Sequence, residues 1–365
     1  MVRLFNADPY GFTTVPARQE DLARHDTQGA QDLKIFRTAM LSVGAAVVLA
    51  LSACGGDGGE AGGDSTAAEG GGGDGGQEIA LVSKGFQHQF WQAVNQGAEE
   101  QAEELGVSIT FDGPAAETEV EAQLQMLQTA IDRQPDAIGY AALDPEACVS
   151  LLQQAEEAGI PVVEFDAACN SEVPLTICQT DILAAGALAA EHMAELMGGA
   201  GKIAIVAHSQ INQTGVERRD GFVEKMEQDF PDIEIVDIQY GDGDHLKSAD
   251  IAKAQLAANP DLKGLYGTNE GSAIGIVNAA NELGLEPGAL TIVGFDSGQA
   301  QIDAIKNGLM AGAITQDPIG IGRCTVDSAV KAINGEELPE KIDTGSYWYD
   351  QSNIDDPEIQ PKLYQ

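Results

Sequence analysis

The residues that close the short apolar runs of this chain are polar. They are Lys84 with the following GFQHQFW, Asp112, Asp144, Asp166, His208 with Ser209, Asp242 with Asp244, Asn269 with Glu270, Asp296, and Gln316 with Asp317. Carboxylates and amides pair with adjacent hydroxyls, a guanidinium donates in a fork, and aromatic rings cover apolar faces, so this set suits a small ligand rich in hydroxyl groups. Glycoside hydrolysis would also draw on two carboxylates, but no pair stands out among so many acids. A GxSxG elbow is missing, since GFDSG at 294–298 carries its serine one place late. No GxxxxGKS/T occurs and no GxGxxG follows the first apolar run, so a phosphate-cradling loop is not indicated.

Ten apolar runs precede or contain these polar ends: IALVS (79–83), SITF (108–111), AIGYAAL (137–143), PVVEFD (161–166), LTIC (175–178), KIAIVA (202–207), IEIVDI (233–238), LKGLYG (262–267), LTIVGF (290–295) and MAGAIT (310–315). Nearly continuous apolar runs bounded by Gly, Pro and Asp read as strands buried on both faces. Between them lie amphipathic stretches such as FWQAVNQGAEEQAEELG. There Phe90, Val94 and Ala98 share one face while Glu99, Glu100, Glu103 and Glu104 crowd the other. Further helices are expected at 119–133, 146–158, 182–197, 214–228, 247–258, 271–283, 299–307 and 319–334. Strand and helix alternate throughout, which specifies an α/β chain with mainly parallel sheets and right-handed crossovers. Ten strands exceed one doubly wound domain, so two lobes of five βα units each are the natural division. Ligands of such sheets sit outside the carboxyl ends of the strands, where the polar residues fall.

Ahead of the first strand the composition changes. Lys34 and Arg37 precede an uncharged run from Thr38 to Leu51, followed by Ser52, Ala53 and Cys54, the layout of a secretory signal. The run is shorter than the roughly 20 residues a spanning helix takes. The tetrad Leu51 to Cys54 resembles the lipobox of bacterial lipoproteins, which implies a signal over 1–53 with an extra N-terminal segment and a lipidated N-terminal Cys54. That resemblance implies export and anchoring to the outer face of the cell membrane. From Gly55 to Gln77, twelve of 23 residues are glycine and five are acidic. Such a segment cannot bury enough apolar area to offset its ordering entropy, so 54–77 reads as a flexible tether. The chain carries a formal net charge of −39, and the segment before Cys54 contributes equal numbers of acids and bases. This charge repels nucleic acid phosphates and anionic headgroups, so neither is an expected partner.

Export would place the cysteines in a disulfide-permissive compartment. With Cys54 set aside, Cys148, Cys169, Cys178 and Cys324 allow three pairings. Cys169 with Cys178, which flank a short loop, is the first expectation. Cys148 with Cys169 is its rival, because each follows the end of an expected strand. No CxxC and no HxxxH occur, so neither a metal site nor a cofactor is expected.

From Glu78 to about Tyr349 the chain resembles a type I periplasmic binding protein of the ribose-binding kind, the soluble receptor of a sugar ABC importer. The resemblance is carried by FWQAVNQGAEEQAEELG (90–106), PVVEFDAA (161–168), QTDILAAG (179–186), ERRDGF (217–222), TNEGSAIGIVNAANELG (268–284), TIVGFDSGQAQIDAIKNG (291–308) and AITQDPIGIG (313–322), in this order. It implies ligand contacts at Lys84, His88, Phe90, Trp91 and Asp166 in one lobe, and at Arg218, Asn269, Asp296 and Gln316 in the other. Three departures point away from ribose itself, toward another pentose, a hexose, a sugar alcohol or a related polar molecule. Ala167 stands where the ribose pattern has arginine, GDGDH replaces an aromatic near 243 with Tyr240 the nearest ring, and Lys84 stands where a small polar residue is usual.

The resemblance further implies three crossings between lobes, near Thr180-Asp181, Gln316-Asp317 and Thr344-Gly345. Lobe 1 would then hold 78–180 plus 317–344, and lobe 2 would hold 181–316 plus 345–365. Such a molecule is no enzyme. As a monomer it closes by hinge motion around a sugar or polyol and hands it to a membrane permease with its ATPase. A surface sensor presenting the ligand to a signalling receptor would use the same fold. A lipid-anchored hydrolase would instead turn over a glycoside. Transcription regulators of this fold carry a basic helix-turn-helix at the N-terminus, where this chain has a signal and an acidic tether.

Overall fold

The computed structural model describes residues 76–364. The signal, Cys54 and nearly all of the tether lie outside the described residues.

Two six-stranded sheets form the framework. The first is built from β1 (Glu78–Val82), β2 (Ser108–Asp112), β3 (Ala137–Tyr140), β4 (Val162–Phe165), β5 (Ile177–Gln179) and, late in the chain, β11 (Lys341–Asp343), in the order β11-β5-β4-β3-β1-β2. The second holds β6 (Gly201–Ala207), β7 (Ile233–Tyr240), β8 (Leu262–Gly267), β9 (Thr291–Phe295), β10 (Gly312–Gln316) and β12 (Ser346–Asp350), in the order β12-β10-β9-β8-β6-β7. Both orders are doubly wound, with the direction of winding reversing between β1 and β3 and again between β6 and β8. All pairings are parallel except that of β12 with β10. The two strands not expected from sequence are β11 and β12. β11 is three residues long with exposed ends, and β12 follows it without an intervening helix.

Nine helices cover the sheets of the described chain: α1 (Gln89–Leu105), α2 (Val120–Arg133), α3 (Val149–Glu157), α4 (Ile182–Met197), α5 (Gln213–Asp229), α6 (His245–Ala258), α7 (Glu270–Glu282), α8 (Gln299–Lys306) and α9 (Pro318–Ile333). α1 buries Phe90, Val94 and Ala98, the stripe its periodicity marks, together with Trp91, and it ends where Gly106 takes a left-handed conformation that accommodates the C-cap. Asp181, Asn212, Asp244, Asn269 and Asp317 cap α4, α5, α6, α7 and α9 by accepting from backbone N–H groups of the first turn.

Glycines bring helices into unusually close contact in each lobe. A Cβ on Gly97 of α1 would lie 2.1 Å from the carbonyl oxygen of Ile319, and one on Gly322 of α9 would lie 2.0 Å from that of Val94. In the second lobe, a Cβ on Gly186 of α4 would lie 2.6 Å from the Arg218 carbonyl oxygen, and one on Gly221 of α5 would lie closer still to that of Leu183. These contacts hold α1 and α5, the helices carrying Phe90, Trp91 and Arg218, at fixed depth against their neighbours.

The chain leaves the first sheet after β5, returns after β10 through α9, and crosses again between β11 and β12. The crossings are bonded to one another: Thr180 Oγ1 donates to the Gly345 carbonyl at 3.1 Å, and Thr344 N donates to the Gln179 carbonyl at 3.0 Å. The disulfides are Cys148–Cys169 and Cys178–Cys324. The expected Cys169–Cys178 bridge does not form, because Cys169 packs with Cys148, Leu127 and Leu152 on one face of the first sheet. Cys178 packs with Phe90, Trp91 and Ile321 on the other. The sheet stands between them.

Candidate functional site

Parallel winding brings the carboxyl ends of both sheets to face each other. Between them lies a small cavity lined by Lys84, His88, Phe90, Trp91, Glu117 and Asp166 from the first lobe and His208, Thr214, Arg218, Asn269, Asp296 and Gln316 from the second. All nine residues expected from sequence are in this lining. Glu117, His208 and Thr214 join them.

The loops are held by buried polar side chains. Gln123 of α2 donates to the carbonyls of Ser83 and Ala141 at 2.8 Å each, and its Oε1 accepts from Tyr140 Oη and Leu143 N. One amide thereby fixes the exits of β1 and β3, where the winding reverses and Lys84 emerges. Asp166 and Asp296 occupy equivalent places after β4 and β9. Each backbone N–H donates to the neighbouring strand, to the carbonyls of Cys178 and Ile314. Each also adopts a positive φ, 59° and 75°. Few non-glycine residues do so, and the strain of such a conformation clusters at functional sites.

The charges form two buried pairs. Lys84 Nζ lies 2.8 Å from Asp166 Oδ2, and Arg218 Nη1 lies 3.6 Å from Asp296 Oδ2. The Asp166 carboxylate thus takes its cation from the β1 loop, in place of the arginine that the ribose pattern carries at position 167. Gln316 Nε2 donates to Asp296 Oδ1 at 2.8 Å, and Arg218 Nη1 donates to the Thr268 carbonyl at 3.0 Å. The Arg218 guanidinium stacks 3.8 Å above the Phe295 ring, whereas Arg219 turns outward to Asp220 and Tyr240. Tyr240 is therefore engaged outside the cavity. Asn269 serves twice, as the cap of α7 and as cavity wall.

Phe90 and Trp91 meet edge to face at 4.9 Å, and Trp91 Nε1 donates to Glu117 Oε1 at 2.9 Å. Burial works against charge on Glu117, but Lys84, His88 and this hydrogen bond outweigh it and hold the carboxyl below its usual range. His208 is neutral, because burial and then the fields of Arg218 and Lys84 push its pKa well down. Its Nδ1 lies 2.7 Å from Thr268 Oγ1 and its Nε2 lies 3.3 Å from Thr214 Oγ1, which also accepts from Lys84 Nζ at 3.0 Å. Burial likewise lowers His88. Among the described residues, His88 Nδ1 and Arg218 Nε are buried with no hydrogen-bond partner, a costly state for groups that do not face a polar guest.

Two outcomes temper the strand-end rule. Asp144 accepts from the backbone of Glu146 and Ala147, Asp242 pairs with Lys247, and Asp244 and Asp317 cap helices, all outside the cavity. Glu117 is the cavity acid after β2, five residues beyond the strand end at Asp112, on a loop with no periodic signal. His208 was visible as a strand end. Thr214, in the first turn of α5, carried no signal. No group of three or more His, Cys, Asp or Glu side chains among the described residues is arranged to hold a metal ion.

A family model described as a periplasmic binding protein domain matches residues 79–337. The chain belongs to this family. Among similar periplasmic binding proteins is the D-allose-binding periplasmic protein of Escherichia coli K12, 29% identical over 274 residues that span 72% of this chain and 86% of that protein. A solved ABC transporter solute-binding protein from Agrobacterium vitis with bound D-fucose is 34% identical, with a TM-score of 0.76 over 79% of this chain and all of that one. A second from the same organism, bound with alpha-D-tagatopyranose, is 30% identical, with a TM-score of 0.76 over 79% of this chain and 99% of that one. These relatives are sugar-binding transport proteins, and this periplasmic binding protein is not an enzyme.

Proposed function

We propose that this binding protein is the extracytoplasmic receptor of an ABC importer. It closes its lobes around one neutral monosaccharide or similar polyol and delivers it to the permease and its ATPase. The observation that carries this reading is the convergence of hydrogen-bonding side chains from both lobes on one buried cavity beside two aromatic rings. Contacts from both lobes exist together only in the closed form, so a ligand shifts the equilibrium by its differential affinity for open and closed states. The cleft is small and walled by side chains of both lobes, which favours a single sugar over an oligosaccharide. Two cations face three carboxylates, which disfavours an acidic or phosphorylated sugar.

Asp166, Asp296 and Arg218 are assigned to hydroxyl pairs, Phe90 and Trp91 to the apolar face of the ring, and Lys84, His88, Asn269 and Gln316 to further hydroxyls. The lobes are assigned as 78–180 with 317–344 and 181–316 with 345–365. The signal layout and the lipobox-like tetrad support export and attachment to the membrane through Cys54. Titration calorimetry against D-allose, D-fucose, D-tagatose and D-ribose tests the binding. One-to-one binding of at least one of them is expected, and failure of all four at millimolar concentration would count against the reading.

A further inference from the structure

Glu270, the first residue of α7, is 3% exposed and lies outside the ligand cavity. Its carboxylate reaches across the cleft to the other lobe, where Oε1 accepts from Gln89 N at 3.1 Å and Oε2 accepts from Phe90 N at 3.3 Å. These are the first two N–H groups of α1, whose own N-cap, His88, makes no side-chain capping bond. The opposite arrangement stands beside it. Gln89 Oε1 accepts from Gln299 N, the first N–H of α8, at 2.8 Å. The N-cap of α8 is Gly298, which has no side chain with which to cap. Two helices whose own N-cap side chains make no capping bond are thus capped by residues of the opposite lobe, in α8 beside Gln301 Oε1, which accepts from Gly298 N at 3.3 Å, and each donation aligns with a helix dipole.

The packing around this pair leaves no slack. A Cβ on Gly298 would lie 2.9 Å from Glu270 Cδ and 3.2 Å from Gln89 Oε1. One on Gly271 would lie 1.9 Å from the Gly243 carbonyl oxygen and 2.9 Å from His88 Cε1 of the first lobe. Small residues therefore line the seam where the lobes meet.

We propose that Glu270 and Gln89 form a reciprocal capping latch that holds the two lobes shut, setting ligand affinity through closure without touching the ligand. The latch rests on the reading of the protein as a hinged receptor, since its bonds join residues of different lobes and must break when the hinge opens. When the lobes part, water replaces the donors, so the latch adds to the lifetime of the closed form and leaves the open form intact. Its signature is in the dissociation rate.

The test compares Glu270→Ala, Gln89→Ala and Gly298→Ala with the unsubstituted protein. Whichever of D-allose, D-fucose, D-tagatose and D-ribose binds serves as the ligand for stopped-flow association and dissociation rates, with the thermal midpoint of each ligand-free variant as a control. The expected result is dissociation about tenfold faster in each alanine variant, with association within twofold and unchanged ligand-free midpoints. Gly298→Ala leaves both capping residues in place and is expected to reproduce the effect by wedging them apart. Unchanged dissociation in Glu270→Ala and Gln89→Ala would overturn the latch while leaving the receptor intact. Equal losses in midpoint and affinity would also overturn it, by showing a merely structural role. An unsubstituted protein that binds none of the sugars would instead sink the receptor reading and the latch with it.

Discussion

Asp296 gathers the polar contacts of the second lobe. Its carboxylate accepts from Glu270 N at 2.9 Å and Gln316 Nε2 at 2.8 Å and pairs with Arg218, all from a left-handed backbone. Removing it leaves the Arg218 charge buried and unpaired, a loss that costs about 3–5 kcal/mol in comparable sites. Asp296→Ala is therefore expected to lower stability by about that amount in denaturant unfolding, and to weaken sugar binding in calorimetry because a cavity acceptor is lost. Glu164 on β4 shows a different use of a buried acid. Burial raises its pKa to about 8, against a hydrogen bond from Cys169 N at 2.7 Å. The folded state thus holds a proton that the unfolded chain releases near pH 4.5. Its stabilising contribution is complete below that pH and is lost as pH rises through about 8. Glu164→Gln keeps an acceptor for Cys169 N, so urea unfolding at pH 5.5 and 8.5 should show a pH slope flatter by on the order of 2 kcal/mol. At this scale the sequence exposed residues at strand ends, whose position follows from the fold. It hid Glu117 and Thr214, whose roles depend on how an irregular loop and a helix turn come to rest.

At the scale of elements, the glycine contacts between α1 and α9 set where the aromatic residues of the cavity stand. Gly322→Ala would put a methyl group 2.0 Å from the Val94 carbonyl oxygen, so α9 must shift away from α1. A loss of about 1–3 kcal/mol is expected in denaturant unfolding, together with weaker sugar binding, because Phe90 and Trp91 move with α1. The disulfides also act at this scale. Cys178–Cys324 closes a separation of 146 residues and Cys148–Cys169 one of 21, which the chain-entropy relation converts to about 5 and about 3 kcal/mol. Cys178→Ser with Cys324→Ser should therefore lower unfolding stability more than Cys148→Ser with Cys169→Ser. Helices and the long strands were legible because their periodicities are strong and their caps conventional. The cysteine pairing was legible only in part: Cys148–Cys169, the rival expectation, forms, whereas Cys169–Cys178 does not, since sequence separation says nothing about which face of the sheet a side chain meets. β11 is a three-residue edge strand with little apolar signal, and β12 follows it without a helix, outside the strand–helix alternation that marks the other strands.

For the whole molecule, the division into two doubly wound sheets followed from the count of apolar runs, and the gathering of polar residues at the carboxyl ends of each sheet followed from parallel winding. The closed relation of the lobes is not written in any local pattern. It emerges from contacts such as Lys84 with Thr214 and Glu270 with Gln89, between residues far apart in sequence. A receptor of this kind works by binding a single monosaccharide between lobes that close on it. Small-angle scattering of the purified protein, with and without each of D-allose, D-fucose, D-tagatose and D-ribose at millimolar concentration, measures this directly. A smaller radius of gyration with at least one sugar, saturating at one equivalent, is the expected result. An unchanged radius with every sugar, or a sugar consumed in the experiment, would contradict it.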